Sequence, residues 1–166
     1  MKIAIRPYEH RDLGRVLQLW ERADRSHGGD LSTDEAVDLM HSDPAVTLVA
    51  ESDGELVGMV LGSSSSAVGW VHRLVIQPDP ETEHDVAERL MEELEARLTD
   101  AGVRRLHAIV ADGEPARDHL ERRDFRAVDG VHLERMISPV SVAPTGLTEV
   151  FGRMIPPGLW DEMKGL

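Results

Sequence analysis

The sequence has no cysteine, a single tyrosine and two phenylalanines among its 166 residues. The lack of cysteine excludes disulfide bridges, a thiolate nucleophile and metal sites with cysteine ligands. Apolar runs stay far short of about 18 residues, so the sequence predicts no membrane-spanning segment. Because the amino-terminal residues lack the long apolar stretch of a signal peptide, we expect a cytoplasmic protein.

Positive charge is also scarce. The chain has 31 Asp and Glu residues against 18 Lys and Arg, of which only Lys2 and Lys164 are lysines, and its net charge is -13. Nucleic-acid affinity comes mainly from Lys and Arg that neutralise phosphates, so this balance argues against a nucleic-acid partner. Two interpretations of the acidic surface remain open. One is the arginine bias of a GC-rich genome, and the other is adaptation to molar salt, which screens carboxylate repulsion over about 3 Å.

What is present is an alternation of short strands and amphipathic helices, read from apolar spacing of two or of three to four residues. The predicted strands are 2–6, 46–51, 55–61, 68–77, 106–110, 125–128 and 131–137. The predicted helices are 12–23, 32–40, 83–100 and 115–123. Asp53-Gly54 and Asp129-Gly130 are hairpin signals, and the serine-rich run 62–66 between two strands is predicted to be a loop.

The chain divides by composition into one domain and a tail. Residues 1–137 hold the predicted strands and the four helices above, whereas residues 138–166 are broken by four prolines around one short helical stretch at 147–154. We expect the tail to pack on the domain or on a partner, and a homodimer is one such arrangement.

The element order, with a long central strand leading into a helix, resembles that of the GNAT superfamily of acyl-CoA-dependent N-acetyltransferases across residues 2–137. The stretches that carry the resemblance are Ile5-Arg6-Pro7 with Asp12-Leu13, Glu55 to Gly58, Leu74 to Pro78, and Leu120 to Phe125. The resemblance implies an α/β fold of the α+β kind, with a mixed, mostly antiparallel sheet and helices on both faces.

The resemblance also implies acetyl-CoA as co-substrate. In this family the backbone at the end of the fourth strand binds pantetheine, and the next loop and helix start bind the pyrophosphate through free N–H groups and the positive end of the helix dipole. The implied cofactor-binding residues are Val75, Ile76, Thr82, Glu83, His84, Asp85, Val86 and Ala87.

This loop departs from the family pattern, which has Arg or Gln, two residues, Gly, one residue, then Gly or Ala. Only Ala87 matches, because Thr82 and Asp85 stand at the first and second signature positions. The loop also carries four acids, Asp79, Glu81, Glu83 and Asp85. They predict weaker binding of a polyanion at low salt, since two like charges about 8 Å apart in water repel by roughly 0.5 kcal/mol. Alternatively, Thr82 or Glu83 caps the helix and the acids stabilise its first turn.

His72 is the candidate general base, because the family often places its base on this strand and an imidazole can take up a proton near neutral pH. The alternative is a hydrogen-bonded strand histidine. Alternation predicts Trp70, His72 and Leu74 on one face of the strand and Val71, Arg73 and Val75 on the other. Arg73 is then either a phosphate contact or an exposed strand residue.

The proton donor of the family, a tyrosine, is missing. Leu120 occupies its position, and the neighbouring His119 points about 100° away on a helix. The eight histidines are scattered, so we expect no metal site.

The sequence thus predicts transfer of an acetyl group from acetyl-CoA to a primary amine by direct attack. We expect a small-molecule or peptide acceptor, and the acidic composition favours a cationic one. The alternative is a non-catalytic module of the same fold that senses an acyl-CoA or binds a protein.

Overall fold

The computed structural model describes residues 2–23, 31–110, 113–128 and 130. Residues 1–127 form one compact unit and residues 128–166 another, and every element below lies in the first. The predicted strand 131–137, the boundary after residue 137 and the tail lie outside the described residues.

A five-stranded sheet organises the first unit, with its strands in sequence order. The strands are β1 (Ile3–Pro7), β2 (Thr47–Ser52), β3 (Glu55–Ser65), β4 (Val68–Ile76) and β5 (Arg105–Ala108). The helices are α1 (Leu13–Ala23), α2 (Thr33–Ser42), α3 (Glu83–Asp100) and α4 (Pro115–Glu121). The first four strands pair antiparallel, and β5 pairs parallel to β4, which confirms the predicted mixed, mostly antiparallel sheet.

Local sequence signals account for a helix start, a buried helix face and a tight turn between strands. At the start of α2, the Ser32 hydroxyl accepts the Glu35 N–H, and the Glu35 carboxylate accepts the Ser32 N–H at 2.8 Å, which is the predicted capping box. In α3, the leucines that repeat every four residues are all buried. Asp53 and Gly54 both have positive φ, as the tight turn between β2 and β3 requires.

Helices cover both faces of the sheet, as predicted. On one face α3 and α4 bury a core of aliphatic side chains that includes Leu48, Val60, Leu90 and Leu94. On the other face α1 and α2 pack their buried side chains, Trp20 and Met40 among them, against the remaining strand residues. Gly58 lets α3 lie close to the sheet, because a Cβ there would stand 2.6 Å from Val86 Cγ1.

Two segments have a different secondary structure from the predicted one. Residues 62–65 are not a loop but the end of β3, which pairs with β4 as far as Ser65. Backbone pairing holds this polar stretch in the sheet without the apolar alternation that marks a strand. Residues 125–128 are not a strand: the Phe125 N–H donates to Leu120 O at 3.2 Å and Asp124 has φ of 64°, so they begin with the carboxyl-terminal cap of α4.

Candidate functional site

Strands β4 and β5 separate halfway along β4. Their parallel pairing runs only from Val68 to Val71 on β4, whereas β4 continues to Ile76. Beyond Val71 the outer edge of β4 therefore has no strand partner within the described ranges.

The backbone groups at this free edge can be assigned from the ladder. The Gln77 N–H donates to Val57 O at 2.8 Å, so Gln77 faces β3. Because the pairing of an antiparallel strand alternates, Val75 also turns its backbone to β3, while Leu74 and Ile76 turn theirs to the gap. Of the two predicted pantetheine contacts, only Ile76 turns its backbone groups to this gap, and sequence reasoning missed Leu74.

A β-bulge interrupts β4 at His72. Leu61 pairs with Arg73 and Gly62 with Val71, so His72 is the extra residue on its strand. The predicted strict alternation is therefore wrong beyond this point. Leu74 joins the core under α3, and Val75 packs on the side of α1.

Half-buried polar side chains surround the bulge. His72 Nε2 lies 2.7 Å from Ser63 Oγ of β3. The Trp70 ring lies 6.4 Å from the His72 ring and stacks on His107 of β5 at 4.8 Å. His72 is thus a hydrogen-bonded strand histidine, and its role as a base stays a prediction. Sequence reasoning missed Ser63, although a nine-residue β4 required an antiparallel partner of similar length.

A cavity of about 620 Å³ borders the free edge of β4. Its size lies within the range of small-molecule sites, roughly 300–1,000 Å³. Val75 and Ile76 form part of its wall, together with residues of α1, the start of α2, Glu83 of α3 and His119 of α4. The cavity thus joins the implied pantetheine strand to the first turn of α3.

Arg73 of β4 contacts α1 and the residue that precedes α2. Its guanidinium carbon lies 4.5 Å from the centroid of the Trp20 ring, a cation–π distance. It also donates to Leu31 O at 3.0 Å, just before α2. Arg73 is half-buried in this arrangement rather than exposed.

Asp79 organises the turn before α3. Its carboxylate accepts the Thr82 hydroxyl at 2.8 Å and the Glu81 N–H at 3.0 Å, and both bonds lower the pKa of Asp79. Its carbonyl accepts the N–H groups of Thr82 and Glu83. Thr82 is the N-cap residue and Glu83 and Asp85 lie in the first turn, as one alternative predicted, but the Thr82 side chain makes no capping bond. The N–H groups of His84 and Asp85 therefore stay uncapped by side chains at the helix start, as an anion site needs.

The four acids of this turn differ in whether their carboxylates have partners within the protein. Asp79 is engaged as described, and the Glu83 carboxylate lies 3.1 Å from Nε2 of His119, which is only 8% exposed. The side chains of Glu81 and Asp85 are exposed. Two carboxylates thus have local partners, and two face solvent near the proposed anion site.

The other implied site residues do not line the cavity. Val86 and Ala87 are each 1% exposed and belong to the packing of α3. Leu120, at the tyrosine position of the family, is 2% exposed within the same core. The imidazole of His84 lies over that of His119, with ring centroids 6.3 Å apart.

Two features are absent from the described part of the chain. No helix there is both long and apolar enough to cross a membrane. No group of three or more His, Asp or Glu side chains there has the arrangement of a metal site.

Comparison with known proteins gives a consistent result. Residues 13–125 match the model of the acetyltransferase (GNAT) family. An acetyltransferase of Pectobacterium atrosepticum is 28% identical over 134 residues, which are 80% of this chain and 94% of that protein.

Solved structures match the fold. Ard1 from Thermoplasma volcanium aligns with a TM-score of 0.65 at 16% identity, over 78% of this chain and 86% of that one. A GNAT family acetyltransferase from Brucella melitensis, solved in complex with acetyl-CoA, aligns with a TM-score of 0.52 at 22% identity, over 70% of this chain and 81% of that one.

Proposed function

This chain belongs to the GNAT acetyltransferase family, and we propose that it transfers an acetyl group from acetyl-CoA to a primary amine by direct attack. The separation of β4 from β5 beside a cavity carries the proposal. It leaves the backbone groups of Leu74 and Ile76 free to pair with a pantetheine arm. We also propose a cytoplasmic location, where acetyl-CoA is available.

The first turn of α3 is proposed to hold the pyrophosphate. The N–H groups of His84 and Asp85 and the positive end of the helix dipole suit an anion. The Glu83 carboxylate is turned to His119, which reduces the repulsion when this imidazole is protonated. Bound there, acetyl-CoA would supply a thioester carbonyl activated towards an amine.

On the acceptor side, His72 is proposed to remove the proton that the amine loses. The acceptor is proposed to be cationic before it binds, because Glu21, Glu83 and Glu114 line the cavity. The net charge of -13 adds long-range attraction for such an amine. A small-molecule amine and the amino terminus of a peptide both satisfy this description.

Calorimetry with acetyl-CoA in low salt and in molar KCl tests the cofactor site. Proline is tolerated in the first turn of a helix but has no N–H, so His84→Pro removes one proposed phosphate donor. We expect a several-fold loss of acetyl-CoA affinity. Asp34→Pro, at the same second position of α2, is the matched control and should bind normally. Folded wild-type protein that binds acetyl-CoA in neither salt would overturn the proposal.

A second candidate function is that of a non-catalytic acyl-CoA sensor. The observation in its favour is that α4 has a buried leucine, Leu120, where the family has its tyrosine acid. Thiol release measured with a panel of amines separates the two functions. Binding of acetyl-CoA without thiol release across the panel would favour the sensor, and release with any amine would favour the transferase.

A further inference from the structure

We propose that Ser63 is a catalytic residue that relays the proton of the acceptor amine to His72. The proposal rests on the proposed acetyl transfer and adds a residue to it.

The sheet places Ser63 and His72 on one face. Ser63 stands directly opposite Trp70 in the register of β3 and β4, so their side chains share a face. The next residue towards the middle of β3, Gly62, faces α3, because a Cβ there would lie 2.9 Å from Leu94 Cδ1. Ser63 therefore faces away from α3, on the side where α1 packs.

The bulge brings the two groups into contact. As the unpaired residue of β4, His72 is displaced from the regular alternation, and its Nε2 lies 2.7 Å from Ser63 Oγ. That distance fits a strong hydrogen bond between a hydroxyl and a ring nitrogen. His72 lies just after Val71, where β4 and β5 separate. The next residue, Arg73, is the first residue of β4 that lines the cavity.

Hydrogen bonding at Nε2 determines the route of the proton. When the Ser63 hydroxyl donates to Nε2, the lone pair of that nitrogen is occupied and the neutral ring carries its proton on Nδ1. An amine then cannot give its proton to Nε2 directly. A hydroxyl oxygen, however, can accept one proton while it donates another.

The relay conserves atoms and charge. The acceptor binds as an ammonium ion, which has no lone pair, so one of its N–H bonds breaks first and a new O–H bond forms on Ser63 Oγ. The original Ser63 O–H bond breaks at the same time, and its proton forms an N–H bond at His72 Nε2, which leaves Ser63 unchanged and His72 as an imidazolium ion. The neutral amine then attacks the thioester carbonyl: a C–N bond forms, the C–S bond breaks, and the departing thiolate of coenzyme A takes the second proton of the amine.

The first test needs no activity. The ¹⁵N chemical shifts of the His72 ring, measured near neutral pH, report which nitrogen carries the proton. We expect protonation of Nδ1 in the wild type and a redistribution between the two nitrogens in Ser63→Ala. Ser64→Ala removes an exposed hydroxyl from the adjacent position of β3 and should leave the shifts unchanged. A wild-type ring protonated on Nε2 would overturn the relay.

The second test is kinetic. General base catalysis typically contributes about 10²–10⁴-fold, so we expect Ser63→Ala to lower kcat by about 100-fold with little change in the KM for acetyl-CoA. Ser63→Thr keeps a hydroxyl and should recover most of the rate. In a His72→Ala background, Ser63→Ala should cost nothing further, because the relay has already lost its acceptor.

The results distinguish the relay from the reaction it serves. A wild type that binds acetyl-CoA but turns over no amine contradicts the proposed transfer. If Ser63→Ala turns over an amine as fast as the wild type, only the relay is contradicted. Additive losses of kcat in the His72→Ala, Ser63→Ala double variant also contradict the relay alone. An acetyl group found on Ser63 by mass spectrometry would also overturn the relay, since it would make Ser63 a nucleophile.

Discussion

Two acidic regions of this molecule differ in the surroundings of their carboxylates: in one they pair with an arginine, and in the other some are exposed to solvent. In the ion-pair network of Arg6, Asp12 and Glu51, Asp12 is 1% exposed and Arg6 donates to both its oxygens, at 2.6 and 2.8 Å. Arg6 also reaches Glu51 at 3.0 Å, so the network joins β1, β2 and the turn that leads into α1. In the acidic turn, residues 79–85, the acids Glu81 and Asp85 are exposed, and no arginine pairs with a carboxylate of the turn among the described residues.

The difference lies in what satisfies each carboxylate. The hydrogen bond from Arg6 lowers the pKa of Asp12, so a buried carboxylate keeps its charge beside a half-buried guanidinium. Only the neutral Thr82 hydroxyl and Glu81 N–H lower that of Asp79. The buried carboxylate that pairs with an arginine therefore stabilises the fold. The exposed carboxylates at the start of α3 instead make the electrostatic potential more negative where an anionic ligand would bind.

The largest expected effect is at Asp12. Asp12→Asn removes the charge of the closest partner of Arg6. Breaking a fully buried pair costs about 3–5 kcal/mol, but Arg6 is half-buried and keeps Glu51, so we expect a loss of about 2 kcal/mol. Urea denaturation should show a loss of this size in the free energy of unfolding. Asp38→Asn changes an exposed acid on α2 and should stay within about 0.5 kcal/mol of the wild type. If Asp12→Asn lowers the free energy of unfolding by less than 1 kcal/mol, the paired carboxylate contributes no more to stability than an exposed one.

Acid should affect the network next. Since the pKa of Asp12 is lowered on folding, its stabilisation is complete above the unfolded value, about 3.9, and is lost as the pH falls through the lower folded value. Below about pH 4 the wild type should lose stability more steeply than Asp12→Asn, measured by urea midpoints at successive pH values. Parallel curves would show that Asp12 does not carry this pH dependence.

Salt should separate the two regions. If the exposed acids reflect salt adaptation, the wild type should gain about 1 kcal/mol, or about 2–4 °C in Tm, between low salt and molar KCl. The difference between wild type and Asp12→Asn should change little, because buried pairs are screened less. A flat melting temperature would remove the salt interpretation and leave the genomic arginine bias.

The smallest effect concerns the acidic turn alone. One charge removed about 8 Å from a phosphate is worth roughly 0.5 kcal/mol in water. Asp85→Asn should therefore raise acetyl-CoA affinity by about twofold in low salt and not in molar KCl, as measured by calorimetry. Asp100→Asn, at the other end of α3, should leave the affinity unchanged.

Much of the fold was predictable, and the site was predictable only in part. The predicted bounds of α3 match the structure, because its leucines repeat regularly and Gly102 follows it. The sequence points to His72, Ile76 and the first turn of α3 as site residues, whereas its serine-rich run predicts a loop at Ser63. Leu74 was missed because a bulge shifts the face of every later residue in its strand, and no local pattern signals that bulge.

The sequence by itself determined the caps, turns and apolar faces, since these depend on residues within about one or two turns of each other. Only the tertiary structure decided which polar groups meet. Ser63 and His72 are separated by 9 positions, Glu83 and His119 by 36, and Arg73 and Leu31 by 42. Those contacts depend on the register of β3 and β4 and on where β5 leaves the sheet. Both are set by packing across the whole domain rather than by neighbours along the chain.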